Sequence, residues 1–395
     1  MQWKTEALSE IAFMTSGGTP SKKHPEYYKD GTIPWVRSGE LENGAIRDTE
    51  IKITQAGLDA SSAKIFPKGT LLIALYGATI GKLAYLDIEA CTNQAVCGIF
   101  ENEKVSQKYL YYFLLFHRPN LIKQGIGGAQ PNISQTILKK MMVSYPCDKA
   151  EQLRIVGKIE ELSSRLDASV AELQTAKEKL KVYRQAVYSS VYDGMRDLQP
   201  ITSFFEITGG LTKNSRRNEL PLQMPYLRVA NVYYNQLDLS EIKEIGVTEQ
   251  EIDRCLLEKN DLLFVEGNGS KSQIGRVAIW NGQIPKCLHQ NHIVKGRPLG
   301  NMLSEYALYY LISNEGRKQI VNIAKSTSGL YTLSTNKIKG LKVPYCDLNA
   351  QKKILDNLKE KLSVYDSIEQ TIDASLQQAE ALRQSILKQA FEGEL

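Results

Sequence analysis

The chain is short of the residues that usually announce chemistry. It has four histidines and six cysteines in 395 residues. The cysteines, at 91, 97, 147, 255, 287 and 346, form no C-x-x-C pair. That pattern suits reduced cytoplasmic thiols better than a disulfide framework. No run of 18 apolar residues occurs, and the opening MQWKTEALSE has no apolar signal region. The expectation is a cytoplasmic chain that neither crosses a membrane nor is exported. Nucleotide and nucleophile motifs are missing too. The loops 77–82 and 267–271 contain glycine and lysine but fail G-x-x-x-x-G-K-[ST], and there is no G-x-G-x-x-G or G-x-S-x-G. Nor is there an Asn/Asp-Pro-Pro-aromatic run of the amino-methyltransferase kind. Cys287, His289 and His292 have a zinc-like spacing without an evident fourth ligand, so no metal site is expected. Asp87 and Glu89 have no partner base and read as solvated acids. The chain is expected not to be an enzyme.

What is present is a long apolar-spaced helix. Ile155, Ile159, Leu162, Leu166, Ser169, Leu173, Ala176, Leu180, Tyr183, Val187 and Ser190 alternate steps of four and three, the a/d seam of a helix packed along a partner. Charged and polar residues fill the positions between, no proline interrupts, and Gly194 supplies the stop. At 1.5 Å per residue the stretch 151–192 makes a rod of about 63 Å, too long for one small core.

The partner lies in the same chain. A shift of 199 positions moves the seam onto Ile354, Leu358, Lys361, Tyr365, Ile368, Ile372, Ser375, Ala379, Leu382, Ile386 and Gln389. The ends match in letters: Arg184-Gln185 falls on Arg383-Gln384, and Tyr192-Asp193-Gly194 on Phe391-Glu392-Gly393. The duplication continues into the globular parts. Ile33-Pro34-Trp35-Val36-Arg37 matches Met224-Pro225-Tyr226-Leu227-Arg228, and Ile80-Gly81-Lys82 matches Ile274-Gly275-Arg276 after a three-residue insertion. Apolar runs flanked by Gly, Pro and Asn read as strands at 71–75, 83–86, 96–100, 262–265, 276–279 and 292–294, with helices over 109–116 and 306–312. The predicted fold is α+β. It has two mixed α/β domains, 1–149 and 195–348, and two long helices, 150–194 and 349–395, that form an antiparallel coiled coil with internal pseudo-two-fold symmetry.

Net charge is +5. Residues 1–149 hold 17 basic against 14 acidic side chains and residues 200–348 hold 18 against 14, whereas 150–199 are balanced at eight each. Basic globular parts fit a polyanion, and balanced rods fit a protein partner.

This architecture resembles the specificity (S) subunit of Type I restriction-modification systems, over essentially the whole chain. The resemblance rests on the closing LRQSILKQAFEGEL and the duplicated helices. It also rests on Gly17-Gly18-Thr19-Pro20 with Ile33-Pro34-Trp35-Val36, and on the segments 77–82 and 127–134 (GGAQPNIS). The second half departs from it, opening Gly209-Gly210-Leu211-Thr212-Lys213 and carrying Gly329-Leu330-Tyr331-Thr332 where the first has Ala129-Gln130-Pro131-Asn132. The resemblance implies two target-recognition domains, each reading one half of a split site in double-stranded DNA. The helices would set the spacer and dock two modification (methyltransferase) subunits, with restriction subunits joining the full complex. S-adenosylmethionine, ATP and magnesium would then be bound by those partners, and this chain needs no cofactor of its own. A free-standing bipartite DNA-binding regulator and a structural adaptor without DNA contact are the alternatives.

Base edges call for Arg, Lys, Asn, Gln, Ser and Thr on loops, and phosphates for Lys, Arg and free N–H groups. In the first domain the candidates are Thr19, Ser21, Lys22, Lys23, Arg37, Ser38, Lys82, Asn93, Gln94, Gln130, Asn132 and Ser134. In the second they are Thr212, Lys213, Asn214, Arg216, Arg217, Arg228, Asn231, Asn268, Lys271, Gln290, Asn291 and Ser334. Features that recur in both halves, such as Asn93-Gln94 and Gln290-Asn291, read more as framework than as readout.

Overall fold

A computed structural model describes residues 2–124, 132–267, 271–324 and 331–395. Contacts divide the chain into two units, Met1–Leu173 with Ser375–Leu395, and Gln174–Ala374. Each unit therefore combines a globular part with one length of each long helix, Lys149–Ser190 and Leu348–Glu392. Gly194 and Gly393, both at positive φ, lie just beyond these helices, where an L side chain would be strained. No helix among the described residues is long and apolar enough to cross a membrane.

In the first unit a five-stranded sheet runs Met14–Ser16, Val96–Ile99, Leu71–Ala74, Leu83–Leu86, Ala45–Ile46. Its central strand, Leu-Leu-Ile-Ala, is apolar at every position because both faces are covered. A four-stranded sheet runs Lys52–Ile53, Ile33–Val36, Ala90–Thr92, Ile65–Phe66, with Trp35 opposite Cys91 in parallel register. Helix Gln107–Gln124 buries Tyr109, Leu110, Phe113 and Leu114 in the core, which also receives Leu387 and Ala390 of the second long helix. Phe391 packs edge-on against Tyr109 and Phe113, with centroids 5.3 Å apart in each pair, and stacks on Phe116 at 5.7 Å.

The second unit repeats the plan. Phe205–Gly209, Ile293–Pro298, Leu262–Val265 and Val277–Ile279 form one sheet, and Lys243–Val247, Leu222–Leu227 and Leu288–His289 another. Tyr226 lies opposite Leu288 in the same parallel register as Trp35 and Cys91.

A buried glutamine roots each long helix. Gln152, fully buried, accepts from the Ser106 N–H (2.8 Å) and donates to the Lys104 and Pro146 carbonyls (2.9 Å each). Gln351, 199 positions on, accepts from the Leu303 N–H (2.8 Å) and donates to the Cys346 carbonyl (2.8 Å).

The helices run antiparallel within each unit. In the first, Arg383 pairs with Asp167 and Arg154 donates to the Leu395 carbonyl at 2.8 Å. In the second, Lys177 pairs with Asp373, and the Arg184 guanidinium sits 4.8 Å from the Tyr365 ring centroid. The seam departs from the predicted one at alternate positions. Leu166, Leu180 and Val187 are buried as expected and Leu173 is half-buried, but Ser169, Ala176, Tyr183 and Ser190 are exposed. Val170, Lys177, Arg184 and Val191 take the intervening places. On the partner helix the same slip leaves Lys361, Ile368, Leu382 and Gln389 exposed, with Leu362, Glu369, Arg383 and Ala390 inward. Charged stems enter this seam because each finds a carboxylate or hydroxyl partner: Asp373 for Lys177, Asp167 for Arg383, and Tyr188 for Arg184.

This register separates two neighbouring substitutions. Leu180→Asp should cost at least about 2 kcal/mol in denaturant unfolding of the isolated chain, since it buries a charge. Tyr183→Asp, at a half-exposed site, should stay within about 0.5 kcal/mol. A comparable cost at both positions would restore the predicted seam.

Candidate nucleic-acid interface

In each unit one turn ties together the loops that carry the candidates. In the first unit it is 92–95. The Gly18 N–H donates to the Thr92 carbonyl (2.9 Å), Asn93 N–H to Val36 (2.9 Å) and Leu75 N–H to Ala95 (2.7 Å), while Ile133 N–H reaches the Leu75 carbonyl (2.7 Å). A Cβ on Gly17 would stand 2.0 Å from the Thr92 carbonyl oxygen, so only glycine allows this approach. The Trp35 indole N–H donates to the Gly18 carbonyl at 2.9 Å, and Gln135 Nε2 donates to Ser16 Oγ at 2.6 Å.

The second unit has the same stitching with other letters. Leu211 N–H donates to the His289 carbonyl (2.9 Å), Gln290 N–H to Leu227 (3.0 Å) and Glu266 N–H to His292 (2.9 Å), and Leu333 N–H to Glu266 (2.7 Å). A Cβ on Gly210 would stand 2.2 Å from the His289 carbonyl oxygen.

Within these edges the candidates separate into held and free groups. Arg37 pairs with Glu40 and Glu50, and Arg228 with Glu241 (3.0 Å). Each arginine meets an acid 13 residues further on, so the pair recurs in register. The glutamates were missed in the sequence, although their spacing was visible there. Asn231 is buried, accepting from the Arg228 N–H (2.8 Å) and donating to the Asp238 and Glu241 carbonyls. Arg217 is also buried. It bonds both Glu251 carboxylate oxygens (2.7 and 3.1 Å) and the Thr212 and Gly246 carbonyls, and it holds the Glu251 carboxyl down at about 2. These bonds take up Arg217 and Asn231 structurally, and burial leaves them no surface for a ligand. Ser134 and Ser334 cap helices Gln135–Lys140 and Thr335–Lys339, accepting from the Ile137 and Lys337 N–H groups. Asn93 accepts from Ala95 N–H at 3.2 Å. Asn291 is half-buried, its backbone N–H on the Leu211 carbonyl.

Lys22, Lys23, Gln94 and Asn132 are exposed in the first unit, as are Thr212, Lys213, Asn214, Arg216 and Lys271 in the second. Thr19 donates to Gln94 and ties the glycine loop to the turn, while the Ser21 hydroxyl accepts from the Lys23 N–H. Ser38, Lys82 and Gln290 are half-buried, and Lys82 has no carboxylate partner among the described residues. Gln130 and Asn268 lie outside the described residues.

The zinc-like triplet is not brought together. Cys287 and His289 are buried, with His289 Nδ1 2.7 Å from the Ile293 carbonyl, whereas His292 is exposed and pairs with Glu266 at 3.2 Å. Among the described residues no cluster of three metal-ligating side chains occurs. Burial pushes His289 down to about 3, so it is neutral at physiological pH and Nδ1–H is the donor. A folded value below the ordinary 6.5 means this contribution to stability is complete above pH 6.5 and declines as pH falls towards 3. His289→Asn keeps an N–H donor without titrating. Subtracting its stability profile from that of the unsubstituted chain should expose a slope confined to pH 3–6.5, and a flat difference would refute the buried neutral imidazole.

A profile of the Type I restriction modification DNA specificity domain matches residues 1–178 and 197–378. The EcoKI specificity subunit of Escherichia coli K12 is 27% identical over 420 residues, covering 100% of this chain and 89% of that protein. The StySPI specificity subunit of Salmonella potsdam is 26% identical over 417 residues, with the same coverage. Among solved structures, a chain from work on complex assembly and conformational transition of the type I R-M system aligns over 100% of this chain and 98% of its own, with TM-score 0.76 at 17% identity. The HsdS subunit of Thermoanaerobacter tengcongensis aligns over 100% and 97%, with TM-score 0.54 at 18% identity; both likenesses are of fold.

Proposed function

This chain belongs to the Type I restriction modification DNA specificity family, and we propose that it is the non-catalytic subunit that selects the DNA sequence for a Type I restriction-modification complex. Each unit reads one half of a split site in double-stranded DNA. The observation that carries this reading is the repeated loop edge, in which main-chain bonds recur in both units while the exposed side chains differ. A fixed frame with variable letters is what two readers of unlike half-sites require. Lys22, Lys23, Lys213, Arg216 and Lys271 supply phosphate contacts, and Gln94, Asn132, Thr212, Asn214 and Gln290 face base edges.

The long helices set the gap between half-sites and dock two modification subunits. In support, corresponding residues line a cleft in each unit: Asn43, Tyr112, Asp167 and Arg383 around about 670 Å³, and Asn235, Tyr309, Asp366 and Arg184 around about 470 Å³. Restriction subunits complete the assembly. S-adenosylmethionine, ATP and magnesium chemistry is assigned to those partners.

The modular reading is tested in the assembled complex by mapping methylated sites. Replacing residues 1–149 by the matching domain of another family member should alter one half-site and leave the other as it was. Change in both halves would defeat the assignment. The double substitution Lys22→Ala, Lys23→Ala should weaken all sequences alike. In gel-shift titrations it should reduce the slope of log K against log salt by about two, close to one for each phosphate no longer neutralised.

A further inference from the structure

The two recognition edges differ at a loop where the second carries three extra residues. Corresponding hairpins close at Ala74 and Lys82 in the first unit (N–H to carbonyl, 2.9 Å) and at Val265 and Arg276 in the second (2.9 Å). The shorter loop is fixed by its own main chain, with Gly81 N–H on Ala74, Ile80 N–H on Gly77 and Lys82 N–H on Thr79. Extra residues add conformational entropy that ordering must offset.

Side chains from outside the longer loop hold its described end, residues 271–275. Arg317 Nη1 donates to the Ile274 and Gly275 carbonyls (2.7 and 3.2 Å), and its guanidinium lies 4.9 Å from the Tyr234 ring centroid. Tyr234 donates its hydroxyl proton to the Ser272 carbonyl at 2.7 Å. Tyr234 sits in the turn between Val232–Tyr233 and Gln236–Leu237, which the Asn235 N–H fastens to the Val277 carbonyl at 2.9 Å. Arg317 has no carboxylate partner among the described residues, so the loop carbonyls are what its charge meets. Among the described residues the first unit shows no such clamp. The residue preceding the corresponding Asn43 is Glu42, and the Nε of Arg118, counterpart of Arg317, is buried without a partner among the described residues. The base of the clamped loop belongs to the recognition edge, through Glu266 N–H on His292 and Leu333 N–H on Glu266.

We propose that Tyr234 and Arg317 are positioning residues for base discrimination at the half-site read by the second unit. They fix Ser272, Ile274 and Gly275 against that edge without touching DNA themselves. The inference rests on the DNA-reading function proposed above.

The test uses the full chain assembled with its modification subunits and two duplex libraries, each randomised in one half-site. Tyr234→Phe removes a single hydroxyl. Arg317→Lys keeps the charge but loses the planar fork that reaches two carbonyls. Each should lower discrimination at the second half-site by about tenfold, the scale of one base contact, and leave the first half-site unchanged. The double variant should be no worse than the poorer single one, since the two side chains act as one clamp. Unchanged discrimination in both singles, or equal loss at both half-sites, would overturn the proposal. A parent complex that discriminates at neither half-site would overturn the DNA-reading function, and the proposal with it.

Discussion

A glutamine amide sealed at the start of each long helix is the contact on which the rest depends. Gln152 and Gln351 each join three things: the first turn of a long helix, the chain leaving the strand before it, and the approach to the core helix of the same unit. The amides are wholly buried, so any rotation of the helix would strand N–H and carbonyl groups away from water, at about 1–3 kcal/mol apiece. The direction in which each helix leaves is therefore fixed by polar geometry, and apolar packing fills in around it. The same amide at the same place in both repeats means the two units share one solution to one problem.

The long helices were the most legible part of the sequence, because a 3.5-residue repeat is short-range and survives without knowledge of the partner. Four of the eleven seam positions on each helix were nonetheless misplaced. Ser169, Ala176, Tyr183 and Ser190 looked apolar or small enough to face inward, and Lys177 and Arg184 did not. What turns the charged residues in is a partner from the antiparallel helix, Asp373 for Lys177 and the Tyr365 ring for Arg184. Such partners lie nearly two hundred residues away, and a periodicity rule cannot see them.

The recognition edges were legible as loops and as repeats, less so as side chains. Residue type alone nominated Arg217 and Asn231 alongside Lys213 and Arg216, and nothing in the letters separates a buried guanidinium from a free one. Burial is decided by Glu251 and by the Glu241 and Asp238 carbonyls, which only the fold brings near. Arg37 with Glu50 and Arg228 with Glu241 keep one spacing in both halves, and both prove to be internal ion pairs. The repeats also diverge, as at the three-residue insertion before Ile274.

The division of the chain into units is not a division into halves, and that has a consequence in time. The second unit is one continuous stretch, whereas the first needs both Met1–Leu173 and Ser375–Leu395. A ribosome adding about 5–20 residues per second takes roughly 10–40 s to cover the 200 or so residues between. Throughout that interval Tyr109, Phe113 and Phe116 lack the Phe391 ring that finally covers them. The part of the protein made first is thus finished last. Until residue 391 arrives, that aromatic face of the first unit stays without its covering ring.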